Sequence, residues 1–183
     1  MLFDLYFGLE QINRDLTTQR VAVRAVAIRN GKLLLNKTNS GDCKLPGGGV
    51  GFDEDLYSAL KREVQEETGY TCAKVSERIG RATERRADFM DKSRFFEMES
   101  HYYVVVLSEE QGEQKLDDYE QNMGFTPVWM SIDEAICANR NYIETCADKN
   151  QSAVYWAQRE LGVFEKLKEI GVDNLKKIGC ANV

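Results

Sequence analysis

The sequence predicts an α/β fold of the α+β type, a mixed β-sheet sandwiched between helices. Three observations predict it. Segments of strand period alternate with segments of helix period along the chain, as in a sheet covered by helices. An Asn30-Gly31 pair separates two apolar runs, the strongest short hairpin signal because both turn residues must accept positive φ. A long amphipathic segment, 54–68, then interrupts the strands.

In chain order, residues 1–18 read as a short lead. It has no positively charged start, and Asp4 and Glu10 break up its apolar residues, so it does not read as a signal peptide. Val21 to Arg29 is partly β-branched and alternates, which predicts a strand; Lys32 to Lys37, with Leu33, Leu34 and Leu35, is its return partner. Thr38 to Lys44 is a polar loop. Glu54 to Thr68 is a helix capped by Asp53, with Leu56, Leu60 and Val64 forming an apolar stripe and Gly69 a left-handed stop. Cys72 to Arg85 reads as a strand with a bend, Phe95 to Leu107 as a strand strongest at Tyr102–Leu107, Ser108 to Gly124 as a long acidic loop, and Phe125 to Met130 as a short strand. Ser131-Ile132-Asp133-Glu134 is a capping box opening a short helix. Gln151 to Ile170 is a longer helix that buries Val154, Leu161, Phe164 and Leu167. With 183 residues the chain suits one domain (1–183), and residues 138–183 read as a helical extension packed on it.

Composition narrows the function. Apolar residues make up 43% and charged residues 30%, ordinary for a soluble globular chain. The net charge of −6 disfavours stable nucleic-acid binding, which needs a basic face; an acidic protein holds anionic substrates when divalent cations supply the missing charge. Cys43, Cys72, Cys137, Cys146 and Cys180 are odd in number and lack C-x-x-C spacing. They read as reduced thiols of a cytoplasmic protein, each a small buried hydrophobe. No apolar run is long enough for a membrane span.

The chemistry lies in Arg62-Glu63-Val64-Gln65-Glu66-Glu67. Glu63, Glu66 and Glu67, at i, i+3 and i+4, project from one helix face. Like charges so placed repel, and a hard divalent cation with oxygen ligands would relieve them. Taken alone, the triplet is more often a solvated acidic face. Leu45-Pro46-Gly47-Gly48-Gly49-Val50-Gly51 precedes it. Such a loop lets backbone approach an anion or metal closely, although glycine clusters also form plain tight turns.

The string Gly48-x5-Glu54-x7-Arg62-Glu63-Val64-x-Glu66-Glu67-x-Gly69-Tyr70 resembles the Nudix box, G-x5-E-x7-R-E-U-x-E-E-x-G-U, with every fixed position matched. Leu45-Pro46-Gly47 before it and Val128-Trp129-Met130-Ser131 after it look like the same family, a resemblance that covers about 21–137. Tyr70 stands where an aliphatic residue is usual, Asp53 where Gly is frequent, and Gly51 where an acidic residue is common. The resemblance implies a Nudix fold and a Mg²⁺-dependent hydrolase, with Mn²⁺ as a substitute, that cleaves a diphosphate bond in a nucleoside diphosphate linked to another moiety. It implies metal ligands at Glu63, Glu66, Glu67 and the Gly47 carbonyl, with Glu63 alternatively the base acting on water. Arg62 would orient a carboxylate, and Gly48, Glu54 and Gly69 would be structural. A later acidic residue often serves the family as base or ligand. Glu120 is the best candidate, Asp118 and Glu113 weaker ones, and a solvated loop charge is the alternative for all three.

For the substrate, Arg24 in an apolar strand demands a partner: a phosphate or a cross-sheet carboxylate. Arg85, in a basic group with Arg81, Arg86 and Arg94, and the backbone of Gly48 are further candidates. Phe89, Phe95 and Phe96 could stack on a base, with core packing the stronger reading. The Pro that marks the ADP-ribose type would fall at Arg85, and no Tyr lies between Tyr70 and Tyr102, so the substrate stays open. The family resemblance implies a small nucleotide substrate, no membrane partner, and homodimerisation as an option. The competing readings are a non-catalytic nucleotide-sensing Nudix-type domain, which commonly loses box carboxylates, and the isomerase branch, whose own motifs are absent.

Overall fold

The computed structural model of the chain describes residues 1–147 and 152–180. Seven strands form one mixed sheet. They are β1 (Phe3–Gly8), β2 (Thr17–Arg29), β3 (Lys32–Lys37), β4 (Cys43–Lys44), β5 (Tyr70–Ala87), β6 (Phe95–Gln111) and β7 (Thr126–Met130). Their order is β1-β5-β6-β2-β3-β4, with β7 on the other side of β3. The β1–β5 and β2–β6 pairs are parallel; the others are antiparallel. The Asn30-Gly31 hairpin is present, with Asn30 at φ 51° and Gly31 at φ 76°.

The sandwich follows from strand alternation. On one face Val23, Ala25, Ala27, Leu34, Tyr103 and Val105 pack against Ala59, Leu60 and Val64 of α1 (Leu56–Thr68). On the other, Val26, Leu33, Leu35 and Tyr102 pack against α3 (Ile132–Thr145), α4 (Ser152–Ile170) and α5 (Val172–Cys180) through Ile132, Ile136, Phe164, Leu167 and Leu175.

The structure corrects several expectations. The cap of α1 is Asp55, not Asp53: its side chain accepts from the N–H groups of Tyr57 and Ser58, and the helix starts at Leu56. Glu54 instead reaches back to the Gly51 N–H and across to Arg62. The lead contains β1, drawn into the sheet because Phe3 enters the core against Tyr102. The bend in β5 is a run of register shifts between Tyr70 and Gly80. The loop 38–44 ends in β4. The acidic segment 108–124 is not all loop: β6 continues to Gln111, and α2 (Asp118–Met123) follows, opened by an Asp117/Glu120 capping box. Val154, Phe164 and Leu167 are buried and Leu161 is half-buried; Gln151, the expected start of α4, lies outside the described residues. Cys43 is buried, but Cys137 and Cys180 are exposed, because each falls on the outer side of its helix.

Candidate active site

The glycine loop is held as an extra strand against β2. Ala25 N–H donates to Pro46 O, Val23 N–H to Gly48 O, and Val50 N–H to Val21 O, at 2.8–3.0 Å. Gly47 has φ 137° and lies against the Val23 carbonyl, so a side chain there would collide with backbone. Gly48 lies against the Glu63 carboxylate, and a Cβ would displace it. The loop and the carboxylate helix are thus fitted to each other.

Across the strand edge the loop is anchored by helices. Asn139 of α3 accepts from Cys43 N–H (2.7 Å) and donates to Cys43 O (2.9 Å), as a neighbouring strand would. Leu45 N–H donates to Glu160 Oε2 of α4 at 3.0 Å. Glu160 is fully buried and is balanced by Arg159, which also reaches Glu84.

The structure brings Glu63, Glu67 and Glu120 together: their ligand oxygens lie within 4.8 Å of one another. Glu67 is 1% exposed. Its Oε2 accepts from Asn36 Nδ2 (2.8 Å) and from Gly47 N–H (2.6 Å), while its Oε1 is buried with no hydrogen-bond partner. Lys44 Nζ stands 3.4 Å from that Oε1, an ion pair by distance without hydrogen-bond geometry. Burial pushes the Glu67 carboxyl up to about 7 against the pull of Lys44, and pushes the Lys44 ammonium down. Burial also raises Glu120, whose Oε2 accepts from the Asp117 N–H. Asp118 and Glu113 are exposed and stand outside this group.

Glu66 is not in the group. Its carboxylate takes Arg62 Nη1 at 3.1 Å at the half-exposed rim. Arg62 also donates to Glu63 (2.7 Å) and, through Nε and Nη2, to both oxygens of Glu54 (2.8 Å each). That pairing with Arg62 holds Glu54 down at about 2. Gly69 caps α1 at φ 75°.

A cavity of about 680 Å³ opens over these groups, lined by Arg20, Arg24, Lys44, the loop 47–51, Arg62, Glu63, Glu67, Met98, Asp117, Tyr119, Glu120 and Trp156. Arg24 is there as expected: its Nη1 donates to the Gly47 carbonyl, not to a cross-sheet carboxylate, and its buried Nε has no hydrogen-bond partner. Arg85 is not there. It lies on β5, bound to Glu97 at 2.6 Å and to the Glu10 carbonyl at 3.0 Å, because β1 and the segment after it cover that edge. Arg81 pairs with Asp4 and Glu99, and Arg86 lies between the rings of Phe89 and Phe96. Of the residues not anticipated, Lys44 carried a signal, its place directly before Leu45-Pro46-Gly47. Asn36, Tyr119, Trp156, Asn139 and Glu160 carried none, because long-range contacts alone bring them here.

The carboxylate group fits a hard divalent cation. The donors are all oxygen, they converge from two helices, and Glu67 Oε1 is a buried polar atom awaiting a partner. The Gly47 carbonyl, engaged by Arg24, keeps a second lone pair.

A NUDIX domain model matches residues 18–149. No curated protein matches the chain in sequence. Among solved structures, it resembles the E. coli ORF135 protein, at 19% identity and a TM-score of 0.51, over 88% of this chain and 96% of that one. It also resembles a NUDIX hydrolase from Nitrosomonas europaea, at 21% identity and a TM-score of 0.50, over 80% and 90%. At such identities the likeness speaks to the fold.

Proposed function

The chain belongs to the NUDIX domain family; from this premise we propose that it is a pyrophosphohydrolase that cleaves a diphosphate bond in a nucleoside diphosphate linked to another moiety, with Mg²⁺ as the metal. The observation that carries this reading is the convergence of Glu63, Glu67 and Glu120 beneath the glycine loop.

Glu63, Glu67 and Glu120 would hold the cation together with the Gly47 carbonyl, and Glu66 would join them on leaving Arg62. A divalent cation bound there supplies charge neutralisation of the diphosphate, polarisation of phosphorus and a lowered pKa for attacking water. The chain's own groups do the rest. Asn36 and the Gly47 N–H fix the Glu67 carboxylate. Glu54 anchors Arg62, which aims Glu63. Arg24 and the Gly48 backbone face the phosphates, with Arg20 and Lys44 adding positive charge to the same cavity. Each of the three gives one oxygen to the protein and keeps the other. Glu63 is paired with Arg62 and Glu67 with Lys44, whereas Glu120 accepts from the backbone of its own cap and is raised by burial, so Glu120 is the group we assign to take the proton from water. The five free cysteines favour a reducing compartment, the cytoplasm. Among the described residues no helix is long and apolar enough to cross a membrane.

The test is phosphate release with Mg²⁺ from nucleoside triphosphates, ADP-ribose, dinucleoside polyphosphates and nucleotide sugars. At least one is expected to turn over. Glu67→Gln should abolish turnover, and Glu120→Gln should cost about a hundredfold or more in kcat, the range of a positioned base. Full rates in Glu67→Gln would sink the reading.

A further inference from the structure

Two aromatic rings line the cavity beside the carboxylates, and the family box supplies neither. Trp156 comes from α4 and Tyr119 from α2, and their rings meet nearly at right angles (78°, centroids 6.2 Å apart). Two perpendicular rings make a corner: a planar group laid on one meets the edge of the other, the arrangement aromatic pairs prefer. The Trp156 ring is fixed, because its Nε1–H donates to Asp42 Oδ2 at 2.8 Å. That bond also uses the one donor an indole has, so Trp156 offers a face and nothing that reads a base edge. Lys44 lies beneath, 5.7 Å from the Trp156 ring and 3.4 Å from Glu67. Tyr119 is half-exposed, and burial raises its hydroxyl, which stays neutral. The corner and the carboxylates line the same cavity.

The geometry points to a nucleobase-stacking site formed by Trp156 and Tyr119, which makes the substrate a nucleotide held by the face of its base with little discrimination among bases of one ring size. This rests on the hydrolase reading above for the fate of the phosphates, but not for the binding itself. Stacking tolerates any base because every base has a π-face. Purines, with more face, bind better than pyrimidines, and adenine and guanine bind alike. Helix α4 then has two duties in one turn: Trp156 holds the base, and Glu160, four residues on, holds the loop that meets the phosphates.

The test uses the full chain with Trp129→Phe, which leaves Trp156 as its single indole. Adenosine 5′-(α,β-methylene)diphosphate with Mg²⁺ should quench Trp156 fluorescence, and methylenediphosphonate, which lacks the base, should not. In kinetics on whichever substrate the panel identifies, Trp156→Ala and Tyr119→Ala should each raise KM about five- to hundredfold with kcat within about twofold, and Trp156→Phe should recover most of the loss. Tyr119→Ala guards against misfolding, because Tyr119 lies outside the core. Equal quenching by the two probes, or an unchanged KM in both alanine variants, overturns the stacking site while leaving the hydrolase reading intact. Quenching by the nucleotide alone, without turnover of any diphosphate, upholds the site and defeats the hydrolase reading.

Discussion

Glu67 lies 1% exposed between two donors and an ammonium group, with one oxygen unbonded. Its pH dependence follows. The ordinary value is 4.5 and the folded value about 7, so between them the folded chain holds a proton that the unfolded chain releases. Stability from this group is complete below 4.5 and is lost as pH rises to about 7; Glu120, raised as well, acts in the same direction. In chelator, Tm should fall between pH 5 and pH 8, and Glu67→Gln should flatten that fall. Excess Mg²⁺ should abolish it, since a cation then takes the proton's place. An unaltered slope in Glu67→Gln would assign the titration elsewhere. Gly48 makes a second argument at this scale. A methyl group there meets the Glu63 carboxylate, and a displacement near 1 Å costs about a hundredfold in rate. Gly48→Ala should therefore lose about that much kcat while melting within a few degrees of the native chain.

Among the elements, β4 has only two residues and survives because α3 and α4 act as its missing neighbour. Asn139 makes both bonds to Cys43, and Glu160 takes Leu45 N–H. Asn139→Ala leaves a buried donor and acceptor unpaired, at about 1–3 kcal/mol each. Urea unfolding should show a loss of about 2–6 kcal/mol with the m-value unchanged, and the Mg²⁺ requirement should rise, since Lys44 and Gly47 follow closely in the chain. Elements of this kind separate what was legible in the sequence from what was not. The hairpin, α1 and the α3 box were legible because each rests on local chemistry: a turn pair, a periodic stripe, a cap. The same logic missed α2, although Asp117-x-x-Glu120 is a capping box, because a six-residue helix carries too little apolar periodicity to stand out from an acidic loop. Asp53 and Asp55 are both competent caps, and what chose between them was Glu54 turning away to Arg62. At the site, spacing alone puts Glu63 and Glu67 on one helix face with Glu66, and only the resemblance to the box reads them as ligands. Trp156 does not, since more than a hundred residues of chain separate it from Asp42.

Taken whole, the described residues form two large apolar layers, one on each face of the sheet, with a small third cluster (Tyr142, Ala153, Val154, Ala157) between α3 and α4, and the layer under α3, α4 and α5 is shared by β1 with those helices. Phe3 and Phe7 of β1, Val163, Phe164 and Leu167 of α4, and Leu175 of α5 share one cluster with strands β2, β3, β5 and β6. Phe7 packs against Gly162, so β1 touches α4 directly. A helical extension with its own core would unfold on its own; one that completes a shared core cannot. The 138–183 segment should therefore melt with the rest, and in the Trp129→Phe chain, where Trp156 is the single indole, denaturant curves followed by far-ultraviolet circular dichroism and by Trp156 fluorescence should coincide, the mark of a two-state unit. Phe164→Ala should lower both midpoints together, by about 3–5 kcal/mol, rather than shift the fluorescence curve alone. Two separated transitions in that chain would mean that α4 and α5 form an independent layer. In that case Glu160 and Trp156 would leave the site as one when that layer melts, and activity would be lost before the sheet unfolds.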